Sequence, residues 1–451
     1  MSRYDVVMHT WGCKVNTYDT GLLQARFAKA QGEGAPETTL PRVHVLNTCA
    51  VTEEASREAA RQVRKIKSKE PFSKVVVTGC GAQVDGGVFD TLPGADLVVA
   101  NSHKGHIEEL IDQMFKGTLQ EKVFRSNIFR KEALEEGGGL EADHTRAFLK
   151  VQDGCNSFCT YCVIPFARGK SRSIPVERLV ARINELHAAG AQEVVLTGVH
   201  IADYEDDSRG MIRHLEDLVQ TILEKTKIPR IRISSLEPKE LSDRLLDFYE
   251  NPRMCRHFHL SIQSANTATL ERMRRKYTAD DVVRIFGEIK RRMPDAFVGM
   301  DLIVGFPGET DEEFQETYQR LVETPWTRIH VFPYSERPGT KALKLEGSVA
   351  VAVRQSRAAL IRELSMARYK ARAEEELSRV RAGLLLKNLS LRKAESSADG
   401  YTHQALTREY WPVRIRSDRG ETGQEVKLKL MKFVAPNAGR MDGWFEGEVL
   451  W

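Results

Sequence analysis

Residues 154–169 read Gly154-Cys-Asn-Ser-Phe-Cys-Thr-Tyr-Cys-Val-Ile-Pro-Phe-Ala-Arg-Gly169, and they place Cys155, Cys159 and Cys162 in one short loop. The loop follows an apolar run at 147–151 that reads as a buried strand. Five comparable runs come after it, at 193–197, 230–234, 257–262, 297–304 and 328–332, with helix-like stretches between them. Spacings of about 25 to 50 residues suit right-handed crossover connections, so the segment is an α/β domain of six βα units. Six units rather than eight predict an open, partial barrel, with its chemistry at the carboxyl ends of the strands.

The cysteine loop lies at such an end. Three thiolates at this spacing suit a 4Fe-4S cluster, binding three irons and leaving the fourth open to another ligand. Zinc also takes thiolates, but structural zinc normally has four ligands, commonly from two separated pairs, and this loop has no obvious fourth.

Toward the amino terminus, apolar runs at 4–9, 43–47, 74–78 and 96–100 alternate with helical patterns and predict a small parallel α/β sheet. Cys13, Cys49 and Cys80 each follow one of these runs. In an open parallel sheet the crevice beyond the carboxyl edge collects ligands, so three equivalent loop positions converge on one point and could hold a second cluster. A single buried cysteine would read as core packing, and Cys255, alone before a barrel strand, is read that way. Gly12, Gly79 and Gly81 would let the backbone approach the cluster.

The tract KEALEEGGGLEAD at 131–143 is poor core material and reads as a linker. Past the barrel, a charged helical stretch at 351–380 leads into short runs at 384–391, 402–406, 411–415, 425–434 and 444–449, which suggest a small antiparallel β-barrel. The expected division is therefore a cluster domain at 1–125, a linker at 126–143, the partial barrel at 144–375 and the terminal β-barrel at 376–451.

A chain of 451 residues accommodates roughly three domains at about 150 residues each. With 41% hydrophobic and 29% charged residues, it has material for buried cores rather than extended disorder. There is no secretory start and no long apolar run, so the expectation is a cytoplasmic protein with no membrane partner. Seven cysteines at irregular spacings point to metal chemistry rather than disulfides. The net charge of +4 permits an anionic partner without requiring one, so location matters more than total. Arg57, Arg61, Arg64 and Lys65 share one face of a predicted helix after Cys49 and make a candidate RNA contact, or a solvated face.

The two triads together resemble the radical S-adenosylmethionine methylthiotransferase family. The resemblance is carried by GCKVNTYDT from Gly12, NTCAVTEEASREAARQVRK from Asn47, GCNSFCTYCVIPFARG from Gly154, HLSIQSA from His259, DLIVGFPGET from Asp301 and PYSERPGT from Pro333, and it covers nearly the whole chain. It implies two 4Fe-4S clusters, one on Cys155, Cys159 and Cys162 that cleaves S-adenosylmethionine to a 5′-deoxyadenosyl radical, and one on Cys13, Cys49 and Cys80 for sulfur delivery. It also implies a terminal RNA-binding barrel of the TRAM type, a tRNA anticodon stem-loop as partner, a low-potential electron donor and a sulfur source.

The forms around Cys13 and Cys49 look most like the branch that acts on N6-threonylcarbamoyladenosine at position thirty-seven of tRNA. Branches acting on N6-isopentenyladenosine or on an aspartate of a ribosomal protein are the competitors. A nonenzymatic iron–sulfur RNA-binding protein is the alternative from another class, but it leaves two open coordination positions unexplained.

The resemblance places Tyr161 at the aromatic position of the cysteine loop, and puts backbone at Thr197, Gly198 and Val199 toward the methionine amino group. Ser235, Glu237, Gln263 and Asp301 lie at or in predicted strand ends and are candidates for S-adenosylmethionine or the target nucleotide; mutual satisfaction near a barrel mouth is the ordinary alternative. Phe332 and Tyr334 are placed to stack on adenine or to pack the rim. Arg168 and Arg172 are placed to reach a cofactor carboxylate or an RNA phosphate. The GFPGET turn at 305–310 lacks the lysine of a phosphate loop and reads as a strand-to-helix turn with Thr310 or Asp311 near the cap.

Overall fold

The computed structural model describes residues 4–31, 40–131, 134, 145–386, 403–417, 420–436 and 443–450. Nearly all of the expected linker from 132 to 143 therefore lies outside the described residues.

Five parallel strands, β1 (Asp5–Thr10), β2 (Arg42–Thr48), β3 (Lys74–Gly79), β4 (Leu97–Ala100) and β5 (Val123–Phe124), build the first sheet in the order β1-β2-β3-β4-β5. Val43, Val45, Val75, Val77, Val98 and their neighbours are buried, as expected for strands covered on both faces. β5 is only two residues long and carries no periodic signal, which is why sequence reading misses it. The chain then forms a 3₁₀ turn at Ile128–Arg130 that buries Ile128. The start of the expected linker is thus packed structure, with Ile128 lying against the backbone at Gly169.

The second unit opens with β6 (Arg146–Lys150). A two-residue antiparallel ladder, β7 (Gln152–Asp153) against β8 (Arg172–Ser173), closes the base of the cysteine loop. The remaining strands are β9 (Glu193–Thr197), β10 (Arg230–Ile233), β11 (His257–Gln263), β12 (Phe297–Val304) and β13 (Arg328–Pro333). They form two three-stranded parallel sheets, β6-β9-β10 and β11-β12-β13, joined through bridges between Leu236 and Leu260 and between Ile231 and Met254. Among the described residues β6 and β13 do not pair, so the expected open barrel of six strands is what forms.

The helix Lys14–Gln31 of the first unit lies against β6 at this open side, and its Tyr18 belongs to the barrel's own buried core. The GFPGET turn ends in Thr310, which caps the helix Asp311–Glu323 through a reciprocal bond with Glu313.

After the helix Val351–Glu374 come β14 (Val380–Leu386), β15 (His403–Thr407), β16 (Pro412–Ile415), β17 (Glu425–Val434) and β18 (Trp444–Leu450), which close into a barrel in the order β14-β15-β16-β18-β17. One pair departs from the antiparallel expectation. β16 and β18 run parallel, because β17 intervenes in sequence and pairs elsewhere on the ring.

This barrel seats on the amino-terminal ends of the central strands. Glu193, wholly buried at the start of β9, meets Arg146 at 2.7 Å, Arg230 at 2.8 Å and Arg232 at 3.0 Å. Arg230 continues to Glu425 at 2.6 Å and to the carbonyls of Leu406 and Thr407. Burial alone would raise the Glu193 pKa, but the three arginines hold it well below the usual carboxylate range. Cys255 is fully buried beside this group, in keeping with the packing role expected of it.

Candidate active site between the three units

Cys13, Cys49 and Cys80 leave the carboxyl ends of β1, β2 and β3, three neighbours in one sheet. Adjacent strand ends bring together residues more than thirty positions apart. Gly12 has φ of +96°, and a Cβ there would stand 2.7 Å from the Cys49 Sγ, so the first two cysteine loops touch and only glycine fits between them. The backbone N–H groups of Val15 and Asn16, at the start of the helix Lys14–Gln31, face the Cys13 sulfur and favour its thiolate. Val51 N–H donates to the Cys49 Sγ at 3.5 Å. Asn101 Nδ2 and Arg168 Nε donate to the Cys80 Sγ at 3.6 and 3.2 Å.

Arg168, expected to reach a cofactor carboxylate or an RNA phosphate, is instead engaged within the protein. It is buried, and besides Cys80 it binds Asp153 at 2.9 Å, Asn16 at 2.5 Å and Asp19 at 3.1 Å. Lys150 joins Asp19 at 2.7 Å and Asp153 at 3.3 Å, and Lys104 joins Asp19 at 3.3 Å. Burial works against a charged Asp19, yet Lys150, Lys104 and Arg168 hold it well below the usual range. Among the described residues, Lys104, Lys150 and Arg168 pair with two carboxylates, Asp19 and Asp153, so these five side chains carry one excess positive charge beside Cys80. Arg172 is drawn the same way, donating to the carbonyls of Lys131 and Arg168.

The second triad lies at the carboxyl end of the barrel. Gly154, with φ of +78°, starts its loop, and a Cβ there would meet the Lys170 carbonyl oxygen at 2.0 Å. Ser157 N–H donates to the Cys155 Sγ at 3.4 Å, and Arg275 donates to the Cys159 Sγ at 3.2 Å. Arg275 also approaches the Tyr161 hydroxyl at 3.5 Å and Glu237 at 2.9 Å. His200 stands 3.8 Å from the Cys155 Sγ, with Asp203 at 3.1 Å and Glu240 on its other ring nitrogen. Burial opposes charge on His200, but Asp203, Cys155 and Glu240 together raise its pKa well above the usual histidine range.

Burial pushes the thiols of Cys49 and Cys162 up to about 12, and neighbouring cysteines add to this. Such sulfurs shed their protons when a cation takes the proton's place. Three soft donors per site, N–H groups aimed at sulfur in both triads, and the positive excess at Cys80 fit an anionic iron–sulfur group at each triad.

A cavity of about 690 Å³ is lined by all three cysteines of the first triad and extends into the barrel. Of the sequence candidates, Thr197, Gly198, Val199 and Ser235 line it. The Val199 N–H is taken by Gln152 at 3.0 Å, and the Ser235 hydroxyl bonds His259 at 2.8 Å. Asp301 reaches the cavity's edge through His259 at 3.4 Å. Tyr161 and Glu237 gather around Arg275 near the second triad instead. Gln263 sits at an irregularity of β11 with φ of +60°. Phe332 is 43% exposed and is not among the cavity's lining residues. Arg57, Arg61, Arg64 and Lys65 are exposed on the helix Glu53–Lys69, where Arg57 and Arg61 pair with Glu53 and Glu54.

The far wall was not foreseen. Tyr410, between β15 and β16, inserts from the terminal barrel with φ of +81° and stacks on His257 at 4.0 Å between ring centroids. Arg232 and Arg146 lie over its ring at 5.0 and 5.6 Å. Lys14, His257, Phe297, Arg328, His330 and Tyr369 complete that part of the chamber. No periodicity announces such residues, since they meet across three folded units.

Residues 149–321 match the Radical SAM superfamily, and residues 5–100 match the Uncharacterized protein family UPF0004. The threonylcarbamoyladenosine tRNA methylthiotransferase MtaB of Aquifex aeolicus is 38% identical over 80% of this chain and 87% of its own length. The protein of that name from Bacillus subtilis is 34% identical over 98% of both chains. A tRNA-2-methylthio-N(6)-dimethylallyladenosine synthase from Staphylococcus epidermidis is 30% identical over 78% of this chain and 69% of that protein. Among solved structures, the radical S-adenosylmethionine methyltransferase TsrM from Kitasatospora setae shares the fold, with a TM-score of 0.56 at 15% identity over 76% of this chain and 77% of that one. The chain belongs to the radical S-adenosylmethionine methylthiotransferase family.

Proposed function

We propose that this protein converts N6-threonylcarbamoyladenosine of tRNA, beside the anticodon, to its 2-methylthio derivative. The observation that carries the reading is the pair of cysteine triads, one opening on the mouth of a partial barrel and the other on the chamber that continues into it, in a chain matched end to end by an MtaB protein. The greater identity to MtaB proteins than to the dimethylallyladenosine synthase favours the threonylcarbamoyl substrate.

Cys155, Cys159 and Cys162 would hold an iron–sulfur cluster, whose chemistry when bound would be one-electron cleavage of S-adenosylmethionine, and Cys13, Cys49 and Cys80 would hold a second for sulfur delivery. The chain's own residues position and enclose. Arg275 holds Cys159 and His200 holds Cys155, while Arg168 holds Cys80. Tyr410 and Phe297 floor the chamber and keep out water, which protects a reactive intermediate from side reactions. The target C–H bond has no proton that a side chain could remove near neutral pH, so enclosure matters more than acid–base catalysis.

Arg57, Arg61, Arg64 and Lys65 form the face offered to anticodon-stem phosphates, and the terminal barrel serves as a TRAM-type RNA contact. A low-potential electron donor, a sulfur source and a cytoplasmic setting complete the reading. No helix among the described residues is long and apolar enough to cross a membrane.

The test is mass spectrometry of tRNA nucleosides from cells lacking the protein and from the same cells complemented with it. Loss and recovery of 2-methylthio-N6-threonylcarbamoyladenosine is expected. An unchanged level of that nucleoside, with loss of the isopentenyl derivative, would overturn the substrate.

A further inference from the structure

Lys14 is placed against the ordinary rules of stability. It is the first residue of the helix Lys14–Gln31, where the aligned peptide dipoles present their positive end and a cation is disfavoured. The first turn of that helix has no acidic residue to offset it. Its side chain enters the chamber rather than bulk water, and its electrostatic neighbours are Tyr410, Arg146, Arg232 and Asp301. Two of those four are further cations. Arg146 and Arg232 share the single carboxylate of Glu193, and Asp301 is turned to His259. Among the described residues no carboxylate pairs with Lys14. A partly desolvated, unpaired ammonium costs stability, and such departures from local rules concentrate where a ligand restores the balance.

The ligand is an anion, and the location narrows it. Lys14 follows Cys13 and its side chain extends toward Tyr410, so whatever it binds lies in the chamber between the sulfur-transferring triad and the Tyr410 wall. Arg328 lines the same chamber with His257, His259 and His330, of which His257 is held neutral by burial and the nearby cations, and Ser234 and Ser235 stand at its wall; Lys14, Arg328 and these polar groups, set in an otherwise apolar chamber, suit a small carboxylate that also carries a hydroxyl. A threonylcarbamoyl group has that composition: its threonine end keeps a free carboxylate and a hydroxyl, whereas an isopentenyl group has neither. We propose that Lys14 is the specificity-determining residue of this enzyme, its ammonium pairing with the threonylcarbamoyl carboxylate as the adenine enters the chamber. The inference rests on the substrate proposed above and extends it to a residue.

The test uses holoenzyme with both clusters loaded, under anaerobic conditions, and three anticodon stem-loop RNAs. One bears threonylcarbamoyladenosine, one its neutral carboxyl methyl ester, and one isopentenyladenosine. Wild-type protein should bind the acid at least about tenfold more tightly than the ester, the size expected of one charge-assisted contact. In Lys14→Met the acid and ester affinities should converge to within about twofold, and the ester should bind the variant about as it binds wild type, which serves as the folding control. Lys14→Arg should keep a preference for the acid.

An undiminished preference for the acid in Lys14→Met would overturn the inference, and so would a wild-type protein that treats acid and ester alike. A Lys14 that served the carboxylate of S-adenosylmethionine would give the first of these results, since only the RNA differs between the two arms. Methylthiolation of the isopentenyladenosine loop and not of the acid loop overturns the substrate reading and this inference together. Turnover of the acid loop with an unchanged ratio in Lys14→Met overturns this inference alone.

Discussion

The two cysteine triads reach similar ends by opposite routes. Cys155, Cys159 and Cys162 are fixed by one loop closed at its base by the β7–β8 ladder, so their geometry is nearly a local property of the chain. Cys13, Cys49 and Cys80 depend on the register of three strands and on a buried charge group that reaches into the next unit. A local site survives changes elsewhere, while a dispersed one reports on the integrity of the whole assembly.

The largest effect that would break this comparison comes from the ligands themselves. Cys159→Ala should abolish 5′-deoxyadenosine formation and product alike. Cys49→Ala should keep cofactor cleavage while product falls below detection, with iron dropping from about eight to about four atoms per chain in each variant. Chromatography of deoxyadenosine beside iron analysis checks both, and identical behaviour of the two variants would mean that the sites do not divide the work.

Next in size is the charge group. Arg168→Met removes the guanidinium that Asp19 and Asp153 share, leaving their buried oxygens short of that partner, and should cost about 3–5 kcal/mol in denaturant unfolding. A loss under about 1 kcal/mol would show that the network is not what docks the first unit on the barrel.

Gly12→Ala and Gly154→Ala sharpen the contrast further. The first pushes a methyl group toward the Cys49 Sγ and should deplete the first cluster while leaving cofactor cleavage in place. The second strikes the Lys170 carbonyl and should lower cleavage itself. Electron paramagnetic resonance of the reduced proteins distinguishes the two clusters, and loss of the same signal in both variants would contradict the assignment.

The smallest effect belongs to the surface. Arg61→Glu with Arg64→Glu should weaken tRNA binding several-fold and reduce the salt slope by about 1 per lost phosphate contact. Unchanged affinity across salt concentrations removes this face from the RNA site.

How much of this was readable in advance follows the same division. The six barrel strands were placed to within a residue or two, because each is an apolar run bounded by breakers. The dispersed cysteines were readable too, since each follows a strand and a parallel sheet gathers its carboxyl ends. Arg168 was noticed but its partners were not: Asn16 lies 152 positions away, and nothing in PFARG turns the guanidinium to Asp19, Asp153 and Cys80 rather than to a cofactor carboxylate or an RNA phosphate. Lys14 and Tyr410 were missed for a related reason. A lysine at a helix start and a tyrosine in a turn are ordinary until folding puts both in one chamber.

The ion group at Glu193 also orders events during synthesis. Among the described residues, Arg230 finds its outer partners in Leu406, Thr407 and Glu425. Domains tend to fold as they emerge, amino-terminal first. Both cysteine triads are therefore translated well before the floor beneath them exists, and a nascent chain has every ligand it needs while its chamber still lies open to water. The terminal barrel is in this sense a stopper fitted last, and radical chemistry becomes sheltered only when the ribosome has delivered it.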